Sequence, residues 1–227
     1  MDSSEDYLGR WNDPAYARNY SKFTRDQQVD ARKFIDQLEV DRNSIVVDLG
    51  CGEAKFLAAI SPCIHTGIGI DASAHMLASA RRSLTDLEIG NIELIHADFR
   101  EFDVGFELAD AVMSNYAIHH VPDVGKEEVF RRVHATLRSG GIFRLEDDSF
   151  NFPQEEFEER VPEIMTQWEC HFGPEGWKFL KEKLAGDDFE NTPYLDDLRR
   201  MIERSGLTVD NIVMHGLNGV EITARKP

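Results

Sequence analysis

Cysteine is scarce in this chain of 227 residues. Cys51, Cys63 and Cys170 are the whole supply, an odd number with no CxxC spacing among them. That argues against a disulfide framework and a structural zinc site, and it points to a reducing compartment, the cytoplasm. Basic residues are also in deficit: Lys plus Arg number 25 against 42 Asp plus Glu, a formal net charge of −17. Such a charge repels phosphate backbones and anionic lipid, so nucleic acid and membrane surfaces are poor partners. It suits a small neutral or cationic substrate, and solubility alone would also account for it. No apolar run approaches the roughly 20 residues of a membrane span. The opening MDSSEDYLGRW has neither the basic end nor the apolar stretch of a signal or transit peptide. Repeats and low-complexity tracts are absent as well.

What is present is a strict alternation of short β-rich runs and helical patterns. Hydrophobic residues make up 41% of the chain, enough for a sizeable core in one domain. Strands are expected at Ser44–Leu49, Thr66–Ile70, Ile92–Ala97, Leu108–Ser114 and Ile142–Leu145. Between them run apolar stripes at helical spacing: Leu77, Ala80, Leu84 and Leu87 behind a Ser73 cap, then Val129, Val133 and Leu137 up to a stop at Ser139-Gly140-Gly141. This rhythm predicts an α/β fold, a doubly wound, mostly parallel sheet of seven strands. Thr192-Pro193 reads as the cap and first position of a last helix ending at Gly206. Leu207–His215 and Val220–Ala224 then form an antiparallel hairpin on the sheet edge. The acidic, aromatic stretch 151–191 breaks the rhythm and is read as helical, set above the sheet. The expected organisation is one domain over 1–227: a helical lid (1–43), a ligand-binding core (44–150), an inserted helical cap (151–191), and the last helix with its hairpin (192–227).

Chemistry concentrates in VVDLGCGEAKF, residues 46–56, at the end of the first strand. In an open parallel sheet, ligands bind beyond the carboxyl ends of the strands, where strand order reverses. Gly50 and Gly52 allow a tight turn and close backbone approach. The third glycine of a dinucleotide loop is missing, because Ala54 and Lys55 follow; an alanine fits there on a negative φ, and Lys55 is expected to point to solvent. Asp48, Asp71 and Asp98 close three successive strands. Asp71, about 20 residues past the glycines, is placed to accept both hydroxyls of a ribose. Asp98 is placed to accept from an adenine amino group. Three carboxylates in register with the loop would repel a pyrophosphate and suit a cationic adenosine.

With those residues in view, the chain resembles the class I S-adenosylmethionine-dependent methyltransferases. The matching segments are VVDLGCGEAKF (46–56), GIGIDAS (67–73), IELIHADFREF (92–102), ADAVMSNYAIHHVPD (109–123) and LRSGGIFRLEDDSF (137–150). The resemblance implies S-adenosylmethionine as cofactor and methyl transfer as the activity. It implies that Asp48 and the backbone of Gly50 face the methionine amino group, and that Gly52 admits the cofactor to the backbone. Asp71 would bind the ribose, Ala72 and Met76 would pack on adenine, Asp98 with the Phe99 amide would read its edge, and Asn115 would offer its carbonyl to the methionine amine. Similar enzymes fold an N-terminal helix over the cofactor, so Tyr20 is assigned to it and Tyr16, four residues earlier and on the same face, to the acceptor.

The acceptor side draws on Tyr116, His119, His120, Asp147 and Asp148, with Trp168, His171, Phe172 and Trp177 from the cap. Methyl transfer needs no protein nucleophile, and a base only where the acceptor has a proton to lose. His119 is the candidate base or hydrogen-bond donor to the substrate, with packing at a helix start as the alternative, and Tyr116, Asp148 and Trp168 complete the substrate set. His119-His120 is not read as a metal pair, because adjacent helical residues point about 100° apart. The expected acceptor is a small molecule, and nothing in the pattern selects O, N, S or C as the atom methylated or specifies an oligomeric state. The rivals are a non-catalytic S-adenosylmethionine binder, an aminopropyl transferase and an NAD-dependent oxidoreductase; the last needs GxGxxG and would not favour Asp48 before the glycines.

Overall fold

A computed structural model describes residues 31–184 and 191–227, together with Gly9, Trp11, Asp13 and Ala15. Helix α1 (Ala31–Leu38) leads into β1 (Ile45–Leu49), α2 (Lys55–Ile60), β2 (Thr66–Asp71), α3 (Ala74–Asp86), β3 (Ile92–His96) and β4 (Ala109–Asn115). A 3₁₀ turn (Ile118–His120) and α4 (Asp123–Thr136) precede β5 (Leu137–Asp148). Helix α5 (Phe157–Leu184) follows, then α6 (Leu195–Arg204) and the hairpin β6 (Thr208–His215) and β7 (Gly219–Arg225). The strands form one sheet in the order β3-β2-β1-β4-β5-β7-β6. All pairings are parallel except those of β7 with β5 and β6. The order reverses between β1 and β4, which sets the crevice there.

Both faces of the sheet are buried, which is why β1 reads as a nearly unbroken apolar run. Val47 and Leu49 face a core with Val112, Phe143, Val129, Phe130 and Ile202. Val46, one residue away and on the opposite face, packs with Ala111, Met113, Ile142, Leu57, Phe34 and Leu38. Burying one such side chain is worth roughly 1.5–3 kcal/mol. The helical reading of 151–191 is matched by α5, which breaks at Gly173, where φ is 67° and ψ 177°. This helix contributes Ile164 to a separate apolar cluster with Phe150 and Phe152.

Three local expectations are corrected. Ser139-Gly140-Gly141 does not stop α4; that helix ends at Thr136, and the triplet forms an irregular stretch inside β5, where pairing slips between Ala109 and Ala111. Helix α6 begins at Leu195 rather than at Pro193. The carbonyl of Pro193 instead accepts from Phe150 N (3.0 Å) and Ser149 Oγ (3.1 Å), tying the end of the cap segment to the chain beyond β5. Ala54 has φ 59°, in the left-handed region, not a negative value. Its side chain is fully buried against Ala80 and Leu84, so packing holds a residue where glycine would be unstrained. Lys55 turns back to Glu53, 3.3 Å away.

Candidate active site

The strand ends around the β1–β4 crevice surround a cavity with about 530 Å³ of space, its mouth included. Its lining joins Gly50, Gly52, Asp71, Ala72, Met76, Phe99 and Asn115 to Trp11, Tyr116, Ala117 and His120.

The glycine loop is shaped for close approach. Gly50 has φ +79°, and a Cβ there would meet the Ala117 Cβ at 2.3 Å. The Gly50 and Cys51 amides both donate to the Ile70 carbonyl, which bends the chain across β2. Asp71 fastens the loop from the other side. Its Oδ2 accepts from Gly52 N (2.9 Å) and its Oδ1 from Ser73 N (2.8 Å). Burial raises the Asp71 carboxyl above its ordinary range, against the pull of those two amides and of His96. Ser73 caps α3 by accepting from Met76 N, and its hydroxyl donates to the Trp11 carbonyl (2.6 Å), anchoring Trp11 at the cavity.

Asp48 is 1% exposed and its Oδ2 has no hydrogen-bond partner among the described residues. Burial, followed by the charge of Asp71, pushes its carboxyl up to about 8. A buried carboxylate in this state calls for a cation. Asn115 carries a second unsatisfied atom. Its Oδ1 accepts from Arg144 Nη1 (2.8 Å), while its buried Nδ2 has no partner among the described residues. The side-chain oxygen of Asn115 is therefore engaged by Arg144.

The acceptor-side residues divide differently from the sequence expectation. Asp147 is fully buried; its Oδ2 accepts from Ile118 N (2.9 Å) and His119 N (3.1 Å), and its Oδ1 from Asp148 N (2.9 Å) and the His119 ring. Burial alone would raise this carboxyl, but the His119 imidazole and the amides hold it below the usual range. His119 is thereby pinned through Nδ1 and does not line the cavity; His120 does. The two rings lie 3.9 Å apart between centroids, and the His120 ring sits 5.0 Å from Trp11, edge on. Tyr116 lines the mouth, 40% exposed, with φ +50°. Its hydroxyl reaches Glu146 at 3.4 Å, and burial followed by the carboxylates of Glu146, Asp148 and Asp147 raises its pKa far above the ordinary phenol value.

Other expected residues stand outside the lining. The Asp98 carboxylate is gripped by Arg100, with Nη2 at 2.8 Å and Nε at 3.1 and 3.2 Å. Asp148 accepts from Asn218 Nδ2 at 3.4 Å and lies 4.0 Å from His119 Nε2. Trp168 packs against the Phe150–Phe152–Ile164 cluster, as part of the cap's own core. Tyr16 and Tyr20, and the side chains of His171, Phe172 and Trp177, lie outside the described residues. Among the described residues no group of His, Cys, Asp and Glu is arranged to hold a metal ion. Ala117 completes the lining without having been assigned to it; His120 was among the acceptor-side candidates, and Trp11 belongs to the N-terminal segment expected over the cofactor. Gly50 hinted at Ala117, since a turn that tight needs a small neighbour.

A mostly parallel α/β sheet whose strand order reverses at a glycine loop, with buried acids at the strand ends, defines a Rossmann-like fold. Comparison with known proteins makes that class specific. A family model described as "Methyltransferase domain" matches residues 46–141. An uncharacterized methyltransferase of Anoxybacillus flavithermus is 27% identical over 166 residues, 73% of this chain and 70% of that protein. A carboxy-S-adenosyl-L-methionine synthase of Campylobacter fetus is 36% identical over 105 residues, 44% of this chain and 43% of that protein, so the chain spans less than half of that relative. In fold it is similar to the geranyl diphosphate C-methyltransferase of Streptomyces coelicolor, solved with S-adenosyl-L-homocysteine, with a TM-score of 0.70 at 15% identity over 100% of this chain and 98% of that one. Together these matches support an S-adenosylmethionine-dependent methyltransferase, with S-adenosylmethionine as its cofactor.

Proposed function

We propose that this chain transfers a methyl group to a small-molecule acceptor that enters beside Tyr116, His120 and Trp11. One observation carries the reading: a single cavity runs from the Gly50–Gly52 loop and Asp71 to those three aromatic side chains. The residues present suit the cofactor. Asp71 has lone pairs left for ribose hydroxyls, Met76 and Phe99 offer apolar surface for adenine, and the unpaired Asp48 Oδ2 suits a cationic amino-acid head. When bound, S-adenosylmethionine supplies a methyl group already activated by its sulfonium.

The chain's task is then to position an acceptor and exclude water, which can lower a barrier by roughly 7–11 kcal/mol. Trp11 and His120 wall the upper side of the cavity. Tyr116 stays protonated, so it serves as a hydrogen-bond partner and not as a base. His120 replaces His119 as the candidate to take a proton from an acceptor that has one to lose, because it lines the cavity. His119 and Asp147 hold the turn that presents it. The acidic surface of the chain favours a neutral or cationic small molecule over a nucleic acid.

The test is a metabolite extract incubated with methyl-labelled S-adenosylmethionine, beside calorimetric titration with S-adenosylmethionine, S-adenosylhomocysteine and NAD. Label in a small product, with binding of the first two ligands only, is the expected result. Binding without any labelled product would leave a sensor. Label only in RNA, DNA or protein would overturn the acceptor class.

A further inference from the structure

A buried polar network lies directly behind the cavity floor, and no step proposed above uses it. Arg144, fully buried in the middle of β5, sits opposite Met113 on β4, which sits opposite Asp48 on β1. Asn115 and Glu146 are opposite each other one pleat further along, as are Glu146 and Glu221. Strand alternation puts all of these on one face, the one covered by α1. There the Arg144 guanidinium lies 4.3 Å from the Phe34 ring. It donates to Gln37 Oε1 (2.6 Å), Asn115 Oδ1 (2.8 Å), Glu146 Oε2 (2.6 Å) and Glu221 Oε2 (3.0 Å). Lys33 and Gln37 of α1 close the network on Glu221.

A guanidinium has only donors, so the Asn115 atom facing it must be the carbonyl oxygen. The amide then has one orientation, with its NH₂ turned away from Arg144. That NH₂ is the buried group left without a partner among the described residues, on a residue lining the cavity. At the adjoining strand end Asp48 Oδ2 is an acceptor without a partner among the described residues, and the two atoms do not satisfy each other. An unpaired acceptor and an unpaired donor at neighbouring strand ends match the ammonium and carboxylate of one α-amino acid.

We infer that Arg144 is a positioning residue: by occupying Asn115 Oδ1 it turns the Asn115 NH₂ into the donor that receives the carboxylate of the cofactor's amino-acid head, beside the Asp48 site for its ammonium. This rests on the cofactor reading. It makes the site selective for a nucleoside with an intact zwitterionic head over one that has lost its carboxylate.

The experiment titrates wild type, Asn115→Asp and Arg144→Lys with three ligands. These are S-adenosylhomocysteine, its decarboxylated analogue, which keeps the amine, and methylthioadenosine, which lacks the head; thermal unfolding of each protein is recorded in parallel. Asn115→Asp keeps an oxygen for Arg144 and sets a carboxylate where the donor was. It should weaken S-adenosylhomocysteine at least tenfold, leave methylthioadenosine unchanged, and bind the decarboxylated analogue as well as wild type or better. Arg144→Lys, which loses the planar fork, should lower the preference for S-adenosylhomocysteine over the decarboxylated analogue. Should it fail to fold, Asn115→Asp decides alone. Equal loss for all three ligands in Asn115→Asp, or no loss for any, overturns the inference and leaves the cofactor reading standing. Wild type that binds none of the three overturns both.

Discussion

Two buried carboxylates stand at the ends of neighbouring parts of the same sheet, and they differ in every respect except burial. Asp147 on β5 is saturated: backbone amides and an imidazole fill both oxygens, and its pKa is held low. Asp48 on β1 keeps an oxygen without a partner among the described residues, and its pKa is pushed up to about 8. A satisfied buried charge builds scaffold, while an unsatisfied one is stable only because a ligand completes it. The turn carrying His119 and His120 hangs on the first. On the proposed reading, the amino-acid head of the cofactor completes the second.

Stability separates the two most sharply. Asp147→Ala strands three amide donors and the His119 ring in the interior, and should cost about 3–5 kcal/mol in denaturant unfolding; a loss under about 1 kcal/mol would remove Asp147 as scaffold. The two acids should also give opposite pH profiles in the ligand-free protein. Asp147 has a lowered folded pKa, so its contribution is present above the ordinary value near 4 and is lost as pH falls through the folded value. Asp48 has a raised one, so its contribution is greatest below about 4 and is lost as pH rises through about 8. Asp71→Ala comes next: S-adenosylhomocysteine binding should weaken by about 1–3 kcal/mol, with unchanged affinity in a folded variant ruling out the ribose assignment. Among the histidines, His120→Ala should lower turnover about tenfold, or about 1.4 kcal/mol of barrier, with little effect on cofactor affinity. His119→Ala should act mainly on stability, and the reverse pattern would restore His119 to the site. The smallest effect belongs to Ala54→Gly. Relief of the left-handed φ and loss of a buried methyl oppose each other, so the melting midpoint should reflect a change within about 1 kcal/mol. A loss of several kcal/mol would show that the methyl carries the loop.

The difference also explains what the sequence disclosed. The strands and the loop were legible because apolar runs, Gly50-x-Gly52 and the Ser73 cap are local signals. Asp71 followed from its distance to that loop, and Met76 from the family resemblance. The upper wall was legible only in part: Tyr116 and His120 were candidates, but Ala117 was not. His119 and His120 were weighed at α-helical phase, but they lie in a 3₁₀ turn whose amides Asp147 holds from 28 residues away. Asp98 looked available until Arg100 was seen on its carboxylate, and Trp168 could not be told from a pocket wall until Phe150 and Ile164 were seen around it. Ala54 shows the same limit: tertiary packing holds it at a φ that its own preference disfavours.

The most direct measurement is calorimetric titration of S-adenosylhomocysteine near pH 7 in two buffers of different ionisation enthalpy, for wild type and Asp48→Asn. With Asp48 protonated at this pH before binding and ionised against the ligand ammonium afterwards, wild type should release close to one proton per ligand. Asp48→Asn should release none and bind ten- to a hundredfold more weakly. Equal affinity and equal proton release in the two proteins would contradict the claim that the unsatisfied carboxylate is there for the cofactor.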